Sequence, residues 1–412
     1  MPLVTENFSD IITFTRNSTG TYFNSSGVLT SASTNVPRRD YNPITLEARG
    51  LLIEEVRTNL ITSSAVLPAG VNVTITADTF VAPDGTTTGD QILDNATLGE
   101  HYSDSSFTPV AATNYTFSAF IKNIGASSSG FAVLRLAGDF GAFVIVNLST
   151  FTVATTGGAQ YVSSSVQAIN NGWYRISLTG VSVGTVASVA RVQVTDVANL
   201  APYSGTGEGF AVWGRQLEAG AFPTSYIPTT TIALTREPDA ASVNTMSPWY
   251  TQAVGTVYAE FMSMVSGSAS QTNGSQGVWS TTQSALGSFN GYGVTANLTA
   301  ANAASITFRS RYFPTGKNNF VSVGLTSGYL NGNIVYKVAS TWNASQITAA
   351  SNVRTAITTT NNAAADMGTH DQMLLGNQST GGTPPYQLNG WLRHIKYYPQ
   401  NFSNTDLQTI TA

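Results

Sequence analysis

Short runs of alternating apolar and polar residues, each closed by a turn signal, recur along the whole chain, and few architectures accommodate that pattern. Tyr115–Ala119, Phe131–Leu136, Phe143–Leu148, Trp173–Leu178, Arg191–Val194, Gly255–Met264 and Trp391–Tyr398 all repeat with a period near two. That period places successive side chains on opposite faces of a strand. Asn171-Gly172 and Asn331-Gly332 supply the residues that tolerate tight hairpin turns. After the first turn, Tyr174, Ile176 and Leu178 share one face, and Trp173, Arg175 and Ser177 the other. Charged residues make up only 10% of the chain, against roughly 25% in average soluble proteins. Ser, Thr, Asn and Gly supply the polarity instead, and they are poor helix formers. The expectation is an all-β protein: two antiparallel β-sandwich (jelly-roll) domains in tandem, behind an irregular N-terminal docking segment.

The boundaries follow from breaks in the pattern. Residues 1–60 contain only short strand-like pieces, Ile11–Thr15, Thr21–Phe23 and Leu51–Ile53, interrupted by Gly27, Pro37 and Pro43. They read as an attachment segment too polar to form a core alone, resting on the next domain or a partner chain. Residues 61–230 form the first sandwich. Residues 231–250, with Pro238 and Pro248, read as a linker, and residues 251–412 form the second sandwich. Ser403 and Asp406 have capping-box spacing, and Phe402 and Leu407 the spacing of a hydrophobic staple, so one short helix is expected at Ser403–Ile410.

Composition also excludes functions. The chain has no cysteine, so disulfides and thiolate metal sites are absent. A formal charge of −4 without a basic stripe argues against nucleic acid as a partner; Arg38-Arg39 and Arg309/Arg311 read as solvated charges or local ion pairs. No apolar run is long enough for a membrane-spanning helix. The opening MPLVTENFSD lacks the pattern of a secretory signal.

No catalytic residues are assigned and no enzyme is expected. The histidines are His101, His370 and His394, and no Ser stands in a nucleophile-elbow motif. Glycoside hydrolysis needs a facing carboxylate pair. Beyond residue 244 the acids are Glu260, Asp366, Asp371 and Asp406, without clustering. Glu54 and Glu55 are adjacent and diverge on a strand, as do His370 and Asp371. Glu100, His101, Tyr102 and Asp104 form the densest polar cluster. No metal ligands or cofactor are assigned, although the turns at Asp84-Gly85 and Asp90…Asp94 have the residue types that hold calcium.

The remaining chemistry is sugar recognition, in which an aromatic face packs on the apolar side of a pyranose and polar groups bind its hydroxyls. The candidates with polar neighbours are Tyr102, Trp173 with Arg175, Tyr203, Trp279, Tyr292, Tyr312 and Trp342. Trp213 reads as structural.

Three blocks carry a family resemblance: FTRNSTGTYFNSSGVLTSASTNVPRRDYNP (Phe14–Pro43), GLLIEEVRTNL (Gly50–Leu60) and VWGRQLEAGAFPTSYIP (Val212–Pro228). They resemble bacteriophage virion fibre-type proteins, tail or head fibres and decoration proteins, that carry carbohydrate-binding jelly rolls. The closing strand and helix resemble those of LamG-like, concanavalin A-type modules. The resemblance implies a non-enzymatic protein of the virion surface, made in the host bacterial cytoplasm. Its partners would be other capsid or tail proteins, host surface glycans bound weakly and multivalently, and further copies of itself, as a trimer. A purely structural decoration or head-fibre protein is the alternative, then a polysaccharide depolymerase. On this view, removing residues 1–50 leaves both sandwiches folded and abolishes incorporation into particles.

Overall fold

The computed structural model describes residues 8–125, 130–264, 275–284, 291–298, 304–312, 317–324, 334–352, 354–361, 368–378 and 386–412. The fold is all-β, and among the described residues every strand pair is antiparallel. In the first sandwich, one six-stranded sheet runs Thr152–Gly157, Ala142–Asn147, Phe131–Ala137, Ser188–Thr195, His101–Phe107, Gly70–Val71. The facing six-stranded sheet runs Tyr161–Ala168, Trp173–Val181, Asn114–Lys122, Gly209–Ala219, Thr87–Asp94, Val73–Val81. Alternate residues fill the space between them. Leu134, Val144 and Val192 come from the first sheet, and Phe117, Ile121, Ile176, Leu178 and Phe210 from the second. The turn before Trp173 is built as the sequence predicts, with Asn171 and Gly172 both in the left-handed region, φ 55° and 76°.

Two seven-stranded sheets form the second sandwich. Val257, Phe261, Trp342 and Ile347 of one meet Trp279, Val294, Ile306 and Met373 of the other. The terminal helix spans Asn404–Thr411. Ser403 caps it in a capping box with Asp406, and Leu407 is buried beneath it against Ala339 and Ala350. The Asn331-Gly332 hairpin falls outside the described residues.

The N-terminal segment rests on the rest of the chain, one of the two placements expected, and it adds strands to both sheets of the second sandwich. Thr13–Thr15 pairs with Ala240–Val243, extending one sheet of the second sandwich. Ala48–Ile53 pairs with Gly390–Tyr398 in the other sheet, and Arg39–Tyr41 forms the edge beyond it. Leu51 and Ile53 enter the core. Gly50 is obligatory here: its φ is 113°, and a Cβ would lie 2.5 Å from the Leu392 carbonyl oxygen. The hairpin of Gly20–Phe23 and Leu29–Ala32 goes the other way and covers the outer face of the first sandwich, where Leu29 packs with Trp173. Periodicity identified these short strands, but it contains no information about pairing partners some 200 or 350 positions away.

The three family-like blocks converge between the sandwiches. Asp239 accepts hydrogen bonds from Arg16 Nη1 (3.1 Å), Arg38 Nη2 and the Glu54 amide (2.9 Å). Glu54 faces Arg38 at 2.7 Å and Arg236 at 3.3 Å, and accepts from the amide and hydroxyl of Ser225 at 2.7 Å each. Burial alone would raise the Glu54 carboxyl, but Arg236, Arg38 and Ser225 outweigh it and hold it at about 2. Asn59 ties the Arg215 and Ile227 carbonyls at 3.2 and 2.9 Å, and Gln216 accepts from the Ile227 amide at 2.6 Å. Arg38, read from the sequence as a solvated charge or a local ion pair, is fully buried and paired with Glu54 and Asp239. Isolated buried arginines would carry a prohibitive desolvation cost; here each faces a carboxylate or carbonyl. The blocks act as a clamp joining the two sandwiches.

Candidate functional site

Four of the eight predicted sugar-binding residues are core residues. Trp173, Trp279 and Trp342 are fully buried, and Tyr292 is 1% exposed. Trp342 stacks on Tyr292 with centroids 4.6 Å apart, and its indole N–H donates to the Gln252 carbonyl at 2.8 Å. For Trp173 the parity was right and the exposure wrong. It does lie on the face opposite Ile176 and Leu178, but Leu29, Ala82, Ala211 and Tyr226 cover that face. Its indole donates to the Val81 carbonyl at 2.9 Å. Arg175, on the same face, donates to the Thr224 carbonyl (2.7 Å) and Ser118 Oγ (3.0 Å). Trp213 is structural, as expected, with its ring 4.8 Å from Tyr226. Tyr312 lies on the Ala304–Tyr312 strand, and its side chain falls outside the described residues.

Trp342→Ala is therefore expected to destabilise the second sandwich by about 3–5 kcal/mol, the usual cost of emptying a large aromatic site. Urea denaturation checks this. A folded, fully stable variant would show that the ring is not a core element.

His370 is also a core group. Its Nδ1 faces the Tyr250 hydroxyl at 3.0 Å, and its Nε2 is buried without a hydrogen-bond partner. Asp371 turns away to the amide and hydroxyl of Ser284, at 2.7 and 2.6 Å. Burial, only partly opposed by Asp371, lowers the His370 pKa from 6.5 to about 4. Between those values the unfolded chain binds a proton that the folded one excludes. Stability should then fall as pH drops from about 6.5 to about 4, by up to about 3 kcal/mol. Comparing urea midpoints of the wild type and His370→Gln across that window isolates the effect. Equal slopes for the two proteins would refute it.

Tyr102 and Tyr203 remain, together with the cluster around residue 100. Strand pairing places Tyr102 and Asp104 on the outer face of the first sandwich, opposite Gln193 and Arg191. The register sets Asp104 opposite Arg191, Arg191 opposite Arg135, and Arg135 opposite Phe143. These four side chains form a transverse row over four strands, about 14 Å from end to end at the usual strand spacing. Arg191 donates from Nε and Nη2 to Asp104 (2.8 and 3.0 Å) and from Nη1 to Glu100 (2.6 Å). Arg135 donates to the other oxygen of Glu100 at 3.1 Å. Burial would lower the Arg191 pKa, but Asp104 and Glu100 raise it above the usual value. The guanidinium lies 3.3 Å over the Tyr102 ring, so that face of the predicted stacking residue is covered. Gln193, beside Tyr102 in register and 1% exposed, holds an amide oxygen without a hydrogen-bond partner.

Phe143 supplies an aromatic surface at the far end of the row. It is half-buried and lies across Gly157, where a Cβ would come 2.7 Å from the ring. Glycine at this position lets the ring rest against the sheet. Tyr203 serves instead as an anchor. Its hydroxyl donates to Asp94 at 2.7 Å, its ring lies 4.4 Å from His101, and burial and Asp94 raise its pKa. Phe143, Arg135 and Arg191 were missed in the sequence because their partnership depends on strand order. Their parity, opposite to Val144, Leu134 and Val192, was the available signal.

The turn aspartates are already engaged. Asp90 accepts from the Leu67 and Asp78 amides, and Asp94 from the Gly207 and Glu208 amides as well as Tyr203. Among the described residues no three His, Asp or Glu side chains converge as metal ligands, and no helix is long and apolar enough to cross a membrane. A cavity of about 250 Å³ opens beside Leu51, Leu375 and Leu392, with Arg39, Arg393 and His394 at its rim. It is mostly apolar, and Asp40 on its wall is engaged by Trp391 and the Phe23 amide.

No protein-family model and no curated protein matches the chain. Among solved structures it is similar to the CBM40 module of the Ruminococcus gnavus IT-sialidase bound to α2,3-sialyllactose, at 15% identity, TM-score 0.32, covering 39% of this chain and 84% of that one. It is also similar to the LG1–3 region of the laminin α2 chain, at 12% identity, TM-score 0.26, covering 75% of this chain and 66% of that one. Domains LG4–5 of the mouse laminin α1 chain are matched at 9% identity, TM-score 0.28, covering 75% of this chain and 90% of that one.

Proposed function

We propose that this protein binds glycans without cleaving them, on the surface of a bacteriophage particle, as a fibre or decoration protein. The observation that carries the glycan reading is the transverse row: an aromatic ring, guanidinium donors and carboxylate acceptors aligned on one partly exposed sheet face. That is the functional-group set a saccharide requires. The two carboxylates of the row are both engaged by Arg191, and do not face each other across a groove as a hydrolytic pair would. The resemblance of the three blocks to virion fibre-type proteins supports the particle setting. A single shallow site of this kind binds weakly, because each sugar hydroxyl exchanges one water contact for one protein contact. Several copies per oligomer, a trimer by the same resemblance, and several oligomers per particle would supply the avidity.

The test is retention of the purified chain on host surface polysaccharide, with reducing ends measured in parallel. Retention without release supports the reading, and steady release of oligosaccharide overturns it in favour of a depolymerase. The clamp favours a second reading. The blocks that carry the family resemblance hold the sandwiches together and lie apart from the row, as a purely structural decoration protein would require. Absence of retention on any host glycan, with the protein present in purified particles, would establish that reading instead.

A further inference from the structure

The charges of the row, taken together, constrain its ligand beyond the general reading of a glycan site, on which this step rests. Two guanidiniums, Arg135 and Arg191, stand against two carboxylates, Glu100 and Asp104, so the row is formally neutral. Arg191 is directed to carboxylates at Nε, Nη1 and Nη2. Arg135 uses one of its five N–H donors on Glu100, and among the described residues it makes no other bond. An anionic ligand would have to reach Arg135 beside the like charge of Glu100.

A hydroxyl faces no such conflict. It can accept from the open N–H groups of Arg135 and donate to the lone pairs that Glu100 and Asp104 retain, while the ring stacks on Phe143. We propose that the row selects neutral sugars and rejects carboxylated ones, with Phe143 as the stacking residue and Arg135 as the principal hydroxyl donor. Rejection arises from the like charge of Glu100, a repulsive element that confers specificity without adding affinity.

The test uses the full chain in affinity electrophoresis against a panel of neutral polymers (a glucan, a galactan, a mannan) and carboxylated ones (alginate, polygalacturonate, polysialic acid). Runs at about 50 and about 500 mM NaCl separate screened from unscreened contacts. The expected result is retention by at least one neutral polymer, changed less than about twofold by salt. Phe143→Ala and Arg135→Gln should each weaken it by about tenfold or more, the loss of one stacking or charge-assisted contact. Arg135→Gln leaves Glu100 paired with Arg191, so its fold is retained, and a melting curve verifies this for both variants. Glu100→Gln should improve retention by carboxylated polymers relative to wild type. Preference of the wild type for a carboxylated polymer, weakening steeply with salt, would overturn the inference and leave the glycan reading intact. Neutral binding untouched by both Phe143→Ala and Arg135→Gln would remove it from this row. No retention by any polymer of either class, or by host polysaccharide, would remove the glycan reading itself and this inference with it.

Discussion

A chain lacking residues 1–50 is expected to lose the second sandwich altogether. The deletion removes Thr13–Thr15 from one sheet, and Arg39–Tyr41 with the first half of Ala48–Ile53 from the other. Ala240–Val243 and the remaining Leu51–Ile53 would then become exposed edges, with unpaired backbone groups open to aggregation. Arg16 and Arg38 would go as well, leaving Asp239 and Glu54 buried with only Arg236 between them. Each of these losses exceeds what a marginally stable domain tolerates. Limited proteolysis and near-UV circular dichroism would show the effect: the environment of Trp279 and Trp342 should collapse, while the core around Phe117, Ile176 and Val192 is less affected. A truncated chain with an intact second sandwich that fails only in particle incorporation would restore the docking-arm reading.

The sequence made the class of fold legible because alternation is local. The strands around Tyr115, Phe131, Trp173 and Gly255 lie where period two puts them. The helix at Asn404–Thr411 was equally readable, since cap and staple lie within a few residues of each other. What alternation could not supply was the state of the second face. Trp173 and Arg175 were assigned correctly to the side away from Ile176, yet that side is covered by a hairpin from residues 20–32. The candidate site suffered from the same gap. Glu100, Tyr102 and Asp104 were visible as a cluster, whereas Arg191 and Arg135 join it only through pairings across 87 and 56 positions. The family-like blocks direct their polar side chains inward to one another, a placement that depends on partners far away in the chain.

Asp239→Ala should be the most damaging single substitution in the clamp, at about 3–5 kcal/mol, the range for removing one partner of a buried ion network. Asp239 is fully buried and receives Arg16, Arg38 and the Glu54 amide, so its loss leaves two guanidiniums underground with one carboxylate between Arg38 and Arg236. Water cannot replace it without opening the contact between the sandwiches. The consequence is mechanical as well as energetic. The clamp joins two cores that share no residue, one around Ile176 and Val192 and the other around Val257 and Trp342. With the clamp intact, the chain should unfold in one urea transition. With Asp239→Ala, that transition should split, the second sandwich melting first because its outer strands are tethered by Arg16 and Arg38. Added salt should not rescue the variant, since buried charges are screened far less than exposed ones. Asp239→Asn keeps the shape and loses only the charge, so it should fall between wild type and alanine. A shift below about 1 kcal/mol for Asp239→Ala, the level of an exposed pair, would mean that the two sandwiches are held together by something other than this network.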